Sequence, residues 1–387
     1  MNDQKGIRGI LRFLSYALVA VIASCATLFF FGESSLNSKL TEMQNLIRRC
    51  YIGEVTDQQL EDGAAAGMIA ATGDRWSYYI PASEYGAYVE QMQNEYVGIG
   101  VTIASQMTST GFEVLSLEEN GGAFEAGIQP GDVICQVEGQ DVLTMEADAA
   151  KQLIRGDADT KVELTVLRGE EKLVFQVMRK RIQVVVAKGE LLPEGIGLIT
   201  IENFDERCAD ETIAQIEALT QQGAKALIFD VRFNPGGYKT ELEEILDRLL
   251  PEGPIFRSVS YTGEEDVSQS DADCLELPMA VLVNAESYSA AEFFAAALSE
   301  YEKAVVVGEA TTGKSYFQNT FCLSDGSAVG LSVGKYCTPK GVSLAEVGGL
   351  KPDVEVLLEE DALTKLYAGA LAHEDDPQLQ AAIKALQ

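Results

Sequence analysis

Four runs of six residues, IGLITI (196–201), ALIFDV (226–231), MAVLVN (279–284) and AVVVGE (304–309), are almost wholly apolar. A strand that is apolar at nearly every position, and not only at alternate ones, has both faces away from water. Helical spacing fills the gaps: Cys208 to Gln222, a face of Leu242, Ile245, Leu246 and Leu249, and a segment from about Ser289 to Tyr301. The pattern predicts an α/β sheet covered on both sides, with its chemistry in the loops at strand ends.

Upstream the texture changes. Between about Tyr96 and Ile182, short alternating strands (GIGVTIA, FEVLSL, DVICQVEG, TKVELTVLR, KLVFQVM) predict a small β-rich module in which Cys135 is a buried strand position. Residues 36–72 show helical spacing that breaks at Gly53 and resumes from Asp57 to Ala71. At ~150 residues per domain, 387 residues hold more than two domains.

Composition excludes several functions. The net charge of −31 disfavours phosphate backbones, so no nucleic-acid partner is expected. The only histidine, His373, lies in the acidic stretch LAHEDDPQ, which removes His-based triads and multi-His metal sites. Seven cysteines (25, 50, 135, 208, 274, 322, 337) lack any CxxC spacing, so neither structural zinc nor a dense disulfide framework is expected. No cofactor and no metal are expected.

Residues 13–31, FLSYALVAVIASCATLFFF, are 19 uncharged and mostly apolar positions preceded by Lys5, Arg8 and Arg12. At 1.5 Å per residue such a helix spans roughly the ~30 Å bilayer core. The positive-inside rule keeps the leader in the cytoplasm and translocates the chain beyond Gly32. Membrane anchorage with an extracytoplasmic remainder is the expectation. A cleaved signal peptide, or lipidation at Cys25 in IASC, are the alternatives.

Three segments concentrate chemistry: DVRFNPGG (230–237), VLVNAESYSAAEFFAAAL (281–298) and VGEATTGKSYFQ (307–318). Pro235, Gly236 and Gly237 turn the chain with amides suited to an oxyanion. Ser289 opens a helix, where amides and dipole favour negative charge. Equally, Ser289-x-x-Glu292 is a capping box, and Lys314 after a glycine reads as an ordinary surface charge. If 314–318 is extended, Lys314 and Gln318 share a face.

The phrase AFEAGIQPGDVICQVEGQDV, after YVGIGV, resembles the PDZ domains embedded in bacterial proteases. That implies a substrate C-terminus added as an extra strand, its carboxylate held by the loop of Gly98, Ile99, Gly100 and Val101. DVR.NPGG, VLVN..S.SAAE, VVVGE.T.GK...Q and GGLKPDVEV (348–356), in this order, resemble the C-terminal processing peptidases, or tail-specific proteases. The resemblance runs from about residue 40 to the end. It implies a multidomain α/β and β protein: leader and anchor 1–31, helical region 32–95, PDZ domain 96–183, protease core 184–360 and helical tail 361–387. It makes Ser289 the nucleophile, Lys314 (25 residues on) its general base and Gln318 the assisting group. The oxyanion donors become Gly236 or Gly237 with Ala290, and Arg155 at the end of the PDZ helix becomes a gating candidate. Peptide substrates with free C-termini and a homodimer are the partners implied. Glu286, Tyr288, Phe233, Ser315 and Tyr316 depart from the family phrase, and a catalytically weak or inactive membrane-tethered PDZ scaffold is the rival reading.

Overall fold

The structure, a computed structural model, describes residues 35–104 and 107–387. The apolar stretch 13–31 and Cys25 lie outside them. Among the described residues no helix is long and apolar enough to cross a membrane. The chain divides into two units between Tyr79 and Ile80.

In the first unit, α1 (Ser35–Cys50) and α2 (Asp57–Ala70) flank the break expected at Gly53. Thr56 starts α2 with a capping box: Gln59 N donates to Thr56 Oγ1 at 3.2 Å, and Thr56 N donates to Gln59 Oε1 at 2.9 Å. Arg48 reaches Asp57 at 2.6 Å.

The second unit opens with α3 (Ala82–Met92) and β1 (Glu95–Gly98). A β-rich module comes next: β2 (Val101–Ile103), β3 (Phe112–Leu117), α4 (Gly122–Ala126), β4 (Val133–Val137), α5 (Ala147–Ile154), β5 (Lys161–Arg168) and β6 (Glu171–Met178). Its strands form one sheet in the order β2-β3-β4-β5-β6, antiparallel throughout, which leaves β2 at an edge. The alternation seen in the sequence buries Phe112, Ile134, Val162 and Leu164 against Ala150 and Ile154 of α5. Cys135 is buried, as its spacing predicts. β7 (Lys180–Gln183) then returns to pair antiparallel with β1, making a two-stranded neck.

The remainder contains β8 (Ala187–Leu191), β9 (Ile196–Ile201), α6 (Cys208–Gln221), β10 (Ala226–Asp230), α7 (Lys239–Leu249), β11 (Gly253–Ser260) and β12 (Glu265–Ser270). After them come β13 (Met279–Val283), α8 (Ala290–Glu300), β14 (Ala304–Gly308), β15 (Tyr316–Cys322), β16 (Ala328–Cys337), β17 (Val354–Glu355), α9 (Glu360–Tyr367) and α10 (Pro377–Ala385). The central sheet runs β8-β9-β10-β13-β14-β17, parallel except for β8. Ile199, Phe229 and Val281 pack on α6, α7 and α8, while Leu198, Ile228 and Leu282 pack on Leu379, Ala382 and Ile383 of α10. Both faces are covered, which is why these strands are apolar throughout. Each large side chain so buried contributes roughly 1.5–3 kcal/mol. A second, antiparallel sheet joins β15, β16, β11 and β12. The parallel strands end together, so the loops after β9, β10 and β13 meet at one edge.

Candidate active site

The loop after β10 is fastened from both sides. Arg232 pairs with Asp230 at 2.5 Å and with Asp376 at 2.9 Å, and donates to Gln378 Oε1 at 3.0 Å. Burial opposes its charge, but the two carboxylates outweigh burial and hold its pKa above the usual value. Asn234 then braces three segments. Its Nδ2 donates to Ile201 O at 2.7 Å, its Oδ1 accepts from Gly236 N at 2.8 Å, and its carbonyl accepts from Tyr288 N at 3.1 Å.

Gly236 adopts a left-handed φ of 87°, and a Cβ there would sit 2.7 Å from Ser289 Cβ. Only glycine allows this approach. The expectation gave Gly236 or Gly237, with Ala290, as oxyanion donors, and the hydrogen bonding of the loop distinguishes the two glycines. The N–H of Gly236 is spent on Asn234, because that bond closes the tight turn. The N–H of Gly237 meets no acceptor among the described residues; Phe204 engages its neighbours instead, donating to Gly236 O at 2.8 Å and accepting from Tyr238 N at 2.7 Å.

Ser289 joins β13 to α8 with φ 58° and ψ −125°, which costs a non-glycine residue of order 1–3 kcal/mol. It is 7% exposed. Ala290 is the first helical residue, so its N–H has no intrahelical acceptor. Tyr288 is half-buried; burial, then Glu286 and Asp205, push its phenol pKa up.

Lys314 lies before β15, not within it: the strand starts at Tyr316 and bulges between Phe317 and Gln318. The expected shared strand face for Lys314 and Gln318 is therefore replaced by a loop-to-strand step. The lysine amine stands 5.6 Å from the centre of the Tyr288 ring. Gln318 donates from Nε2 to Ser332 Oγ at 2.9 Å and to Tyr316 O at 3.1 Å.

Glu292 joins the two loops. Its Oε2 accepts from Ser289 N at 3.0 Å and from Lys314 N at 2.8 Å; its Oε1 accepts from Gly313 N at 2.6 Å and Thr311 Oγ1 at 2.5 Å. Burial pushes its pKa up, while all four bonds favour the ionised form. The Ser-x-x-Glu spacing signalled this residue, but only as a helix cap. The Lys314 loop is pinned from behind as well, since a Cβ on Gly349 would lie 2.2 Å from Thr311 O.

In the β-rich module, Gly98 ends β1 and Ile99 and Gly100 turn into Val101 of the edge strand β2. Gly100 has φ 75°, and a Cβ on it would lie 2.7 Å from Gly121 Cα. Arg155 caps α5 through its backbone N–H, donated to Lys151 O at 3.1 Å, and is exposed. The buried cation at this helix end is Arg179, to which no sequence motif points.

A family model described as peptidase family S41 matches residues 195–356, and a PDZ domain model matches residues 113–168. The carboxy-terminal processing protease CtpA of Bacillus subtilis (strain 168) is 33% identical over 367 residues, 90% of this chain and 78% of that one. A CtpA-like serine protease named in Staphylococcus aureus (strain COL) is 30% identical over 329 residues, 84% of this chain and 65% of its own length. A solved structure described as a candidate S41 protease of Bacteroides fragilis shares the fold, with TM-score 0.53 and 17% identity over 86% of this chain and 92% of that one. On these likenesses the chain belongs to the S41 family of serine peptidases, with an embedded PDZ domain, among the carboxy-terminal processing proteases.

Proposed function

We propose that this protein is an endopeptidase that selects substrates by their free C-termini and cleaves them through a Ser/Lys acyl-enzyme. Ser289 Oγ attacks the scissile carbonyl. Lys314, when neutral, takes the hydroxyl proton and later returns it to the leaving amine. Gln318 has its amide hydrogens occupied, so its carbonyl oxygen is the atom that orients the lysine amine. Gly237 and Ala290 supply amides to the tetrahedral oxyanion. The acyl ester is then hydrolysed by water, with Lys314 again as base.

The observation that carries this reading is the strained backbone of Ser289 at the start of α8, pressed against Gly236 and tied through one carboxylate oxygen to the Lys314 loop. The edge position of β2 and the Gly98–Val101 turn support docking of a substrate tail by strand addition. The apolar residues 13–31 support a membrane anchor with the catalytic part extracytoplasmic. A homodimer and a gating role for Arg155 belong to the same proposal and rest on the family resemblance.

Ser289→Ala and Lys314→Ala are each expected to abolish cleavage of an unfolded protein with an apolar C-terminus while circular dichroism stays unchanged. Retention of more than about a tenth of wild-type kcat/KM by both variants would remove the Ser/Lys assignment.

A further inference from the structure

The loop that closes β9 carries an acid with no part in the Ser/Lys chemistry. Asp205 is 5% exposed. Its backbone is spoken for, with N–H donated to Asn203 Oδ1 at 2.9 Å and carbonyl accepting from Cys208 N at 3.1 Å. Its carboxyl has no hydrogen-bond or ion-pair partner among the described residues. Yet its oxygens are not sealed in: among the described residues the fully enclosed unpaired side-chain polar atom is Arg207 Nε. Part of the small residual exposure therefore lies at the carboxyl group itself. Folded proteins rarely leave a buried acid without donors, and those that do commonly reserve it for a ligand or reaction.

Its place is set by the two glycines. A Cβ on Gly237 would lie 2.6 Å from Asp205 N, and one on Gly236 would lie 2.7 Å from Ser289 Cβ. The Gly236–Gly237 peptide is thus held between the Asp205 backbone and the nucleophile. The groups that face Asp205 repel a second negative charge. Glu241 in the first turn of α7 acts on it directly, with Glu206, Asp210 and Glu244 around Glu241. Cys208 of α6 and Tyr288 both feel the charge of Asp205, and Tyr288 feels that of Glu286 as well. Neighbouring cations are committed elsewhere: Arg207 to Glu211 at 2.5 Å, and Lys239 to Glu243 at 3.1 Å and Asp266 at 2.5 Å.

We propose that Asp205, with Glu241 adding to its field, is the recognition group of a substrate subsite beside the scissile bond that takes a positively charged side chain, lysine or arginine. The proposal rests on the Ser/Lys reading and adds a cleavage-position rule to tail selection. A neutral side chain would leave the clustered carboxylates uncompensated, whereas an ammonium or guanidinium supplies both the missing donors and the missing charge. Burial and Glu241 push the Asp205 carboxyl up to about 7. The subsite is then charged above that pH and protonated below it, so the preference for a cation is present at pH 8 and fades as pH falls toward 6.

The test uses the full-length protein and peptides that share one apolar free C-terminus and differ at single positions within about three residues of the cleaved bond. Each position carries Lys, its uncharged isostere norleucine, or Glu, and kcat/KM is measured at pH 6 and pH 8. The Lys-to-norleucine ratio cancels the pH dependence of the catalytic step. At one position it is expected to reach at least about tenfold at pH 8, the scale of a charge-assisted hydrogen bond, and to shrink several-fold at pH 6. Asp205→Asn is expected to bring that ratio near one. Should this variant fail to fold by circular dichroism, Glu241→Gln is expected to lower the ratio several-fold. A wild-type ratio near one at every position overturns the subsite, as does a ratio that survives either folded variant. Cleavage without a lysine preference leaves the Ser/Lys reading standing and sinks this inference alone; no cleavage of any peptide sinks both.

Discussion

Ser287 keeps its hydroxyl inside the fold, donating to Val231 O at 2.7 Å and accepting from Asn284 N at 3.0 Å. Ser289, two residues on, is held in a strained conformation by bonds to its backbone. Glu292 is the residue whose removal tests this arrangement, because it positions both partners without belonging to either loop. Glu292→Gln keeps the shape but turns one acceptor oxygen into a donor facing two hydrogens. The expected outcome is a fall in kcat of about ten- to a hundredfold with KM changed less than about threefold, from one or two lost charge-assisted hydrogen bonds. Steady-state kinetics on a tail-bearing peptide checks it, and a kcat within twofold of wild type would show that the carboxylate serves folding alone.

At the scale of elements, α5 shows how a short helix is finished by a residue far away. The last carbonyls of a helix have no internal donors. Arg179, 9% exposed, donates to Leu153 O and Ile154 O at 2.9 Å each, to Lys161 O at 3.0 Å and to Thr160 Oγ1 at 3.1 Å. A Cβ on Gly156 would lie 2.9 Å from this guanidinium, so the glycine after the helix makes room for it. Arg179→Met should destabilise the β-rich module by about 2–4 kcal/mol, since several buried acceptors lose their donor together. Arg155→Ala, at an exposed helix end, should cost less than about 0.5 kcal/mol. Hydrogen exchange of the amides in β4 and β5 reads this locally. Equal protection in the two variants would mean that Arg179 is not the cap that matters.

Across the whole molecule, the neck of β1 and β7 is stitched to the loop that reaches the candidate site. Asn94 Nδ2 donates to Asn203 Oδ1 at 3.1 Å and to Glu206 O at 2.9 Å, and Arg207 donates to Asn94 O and Val184 O at 2.8 Å each. That loop lies against Gly237. Movement of the neck would therefore be felt at the proposed oxyanion donor through contiguous contacts, which is the physical requirement for coupling. If tails dock on β2, amidating a peptide's C-terminus should lower kcat/KM by about tenfold or more, because one carboxylate loses a set of amide donors. Equal cleavage of the acid and amide forms below saturation would remove tail selection.

Apolar runs of five or six residues, helical spacing between them and glycine-bearing turn phrases determined, from sequence alone, the two-sided sheet and the β-rich module, whereas the candidate serine and lysine came from the family resemblance and not from spacing. These signals are local: periodicity fixes which faces are buried, and a turn needs its glycine wherever the chain goes next. The anchor reading of residues 13–31 has the same local basis. Tertiary structure decided which of two adjacent glycines keeps a usable amide, because Asn234 takes one of them. It also decided that Glu292 binds the Lys314 loop, that the side chain of Arg179 and not that of Arg155 satisfies the last carbonyls of α5, and that the Asp205 carboxyl is left without a donor. Each of these depends on partners brought together by packing of both sheet faces, and hydrogen-bond pairing between distant residues leaves no periodic trace in the chain that makes it.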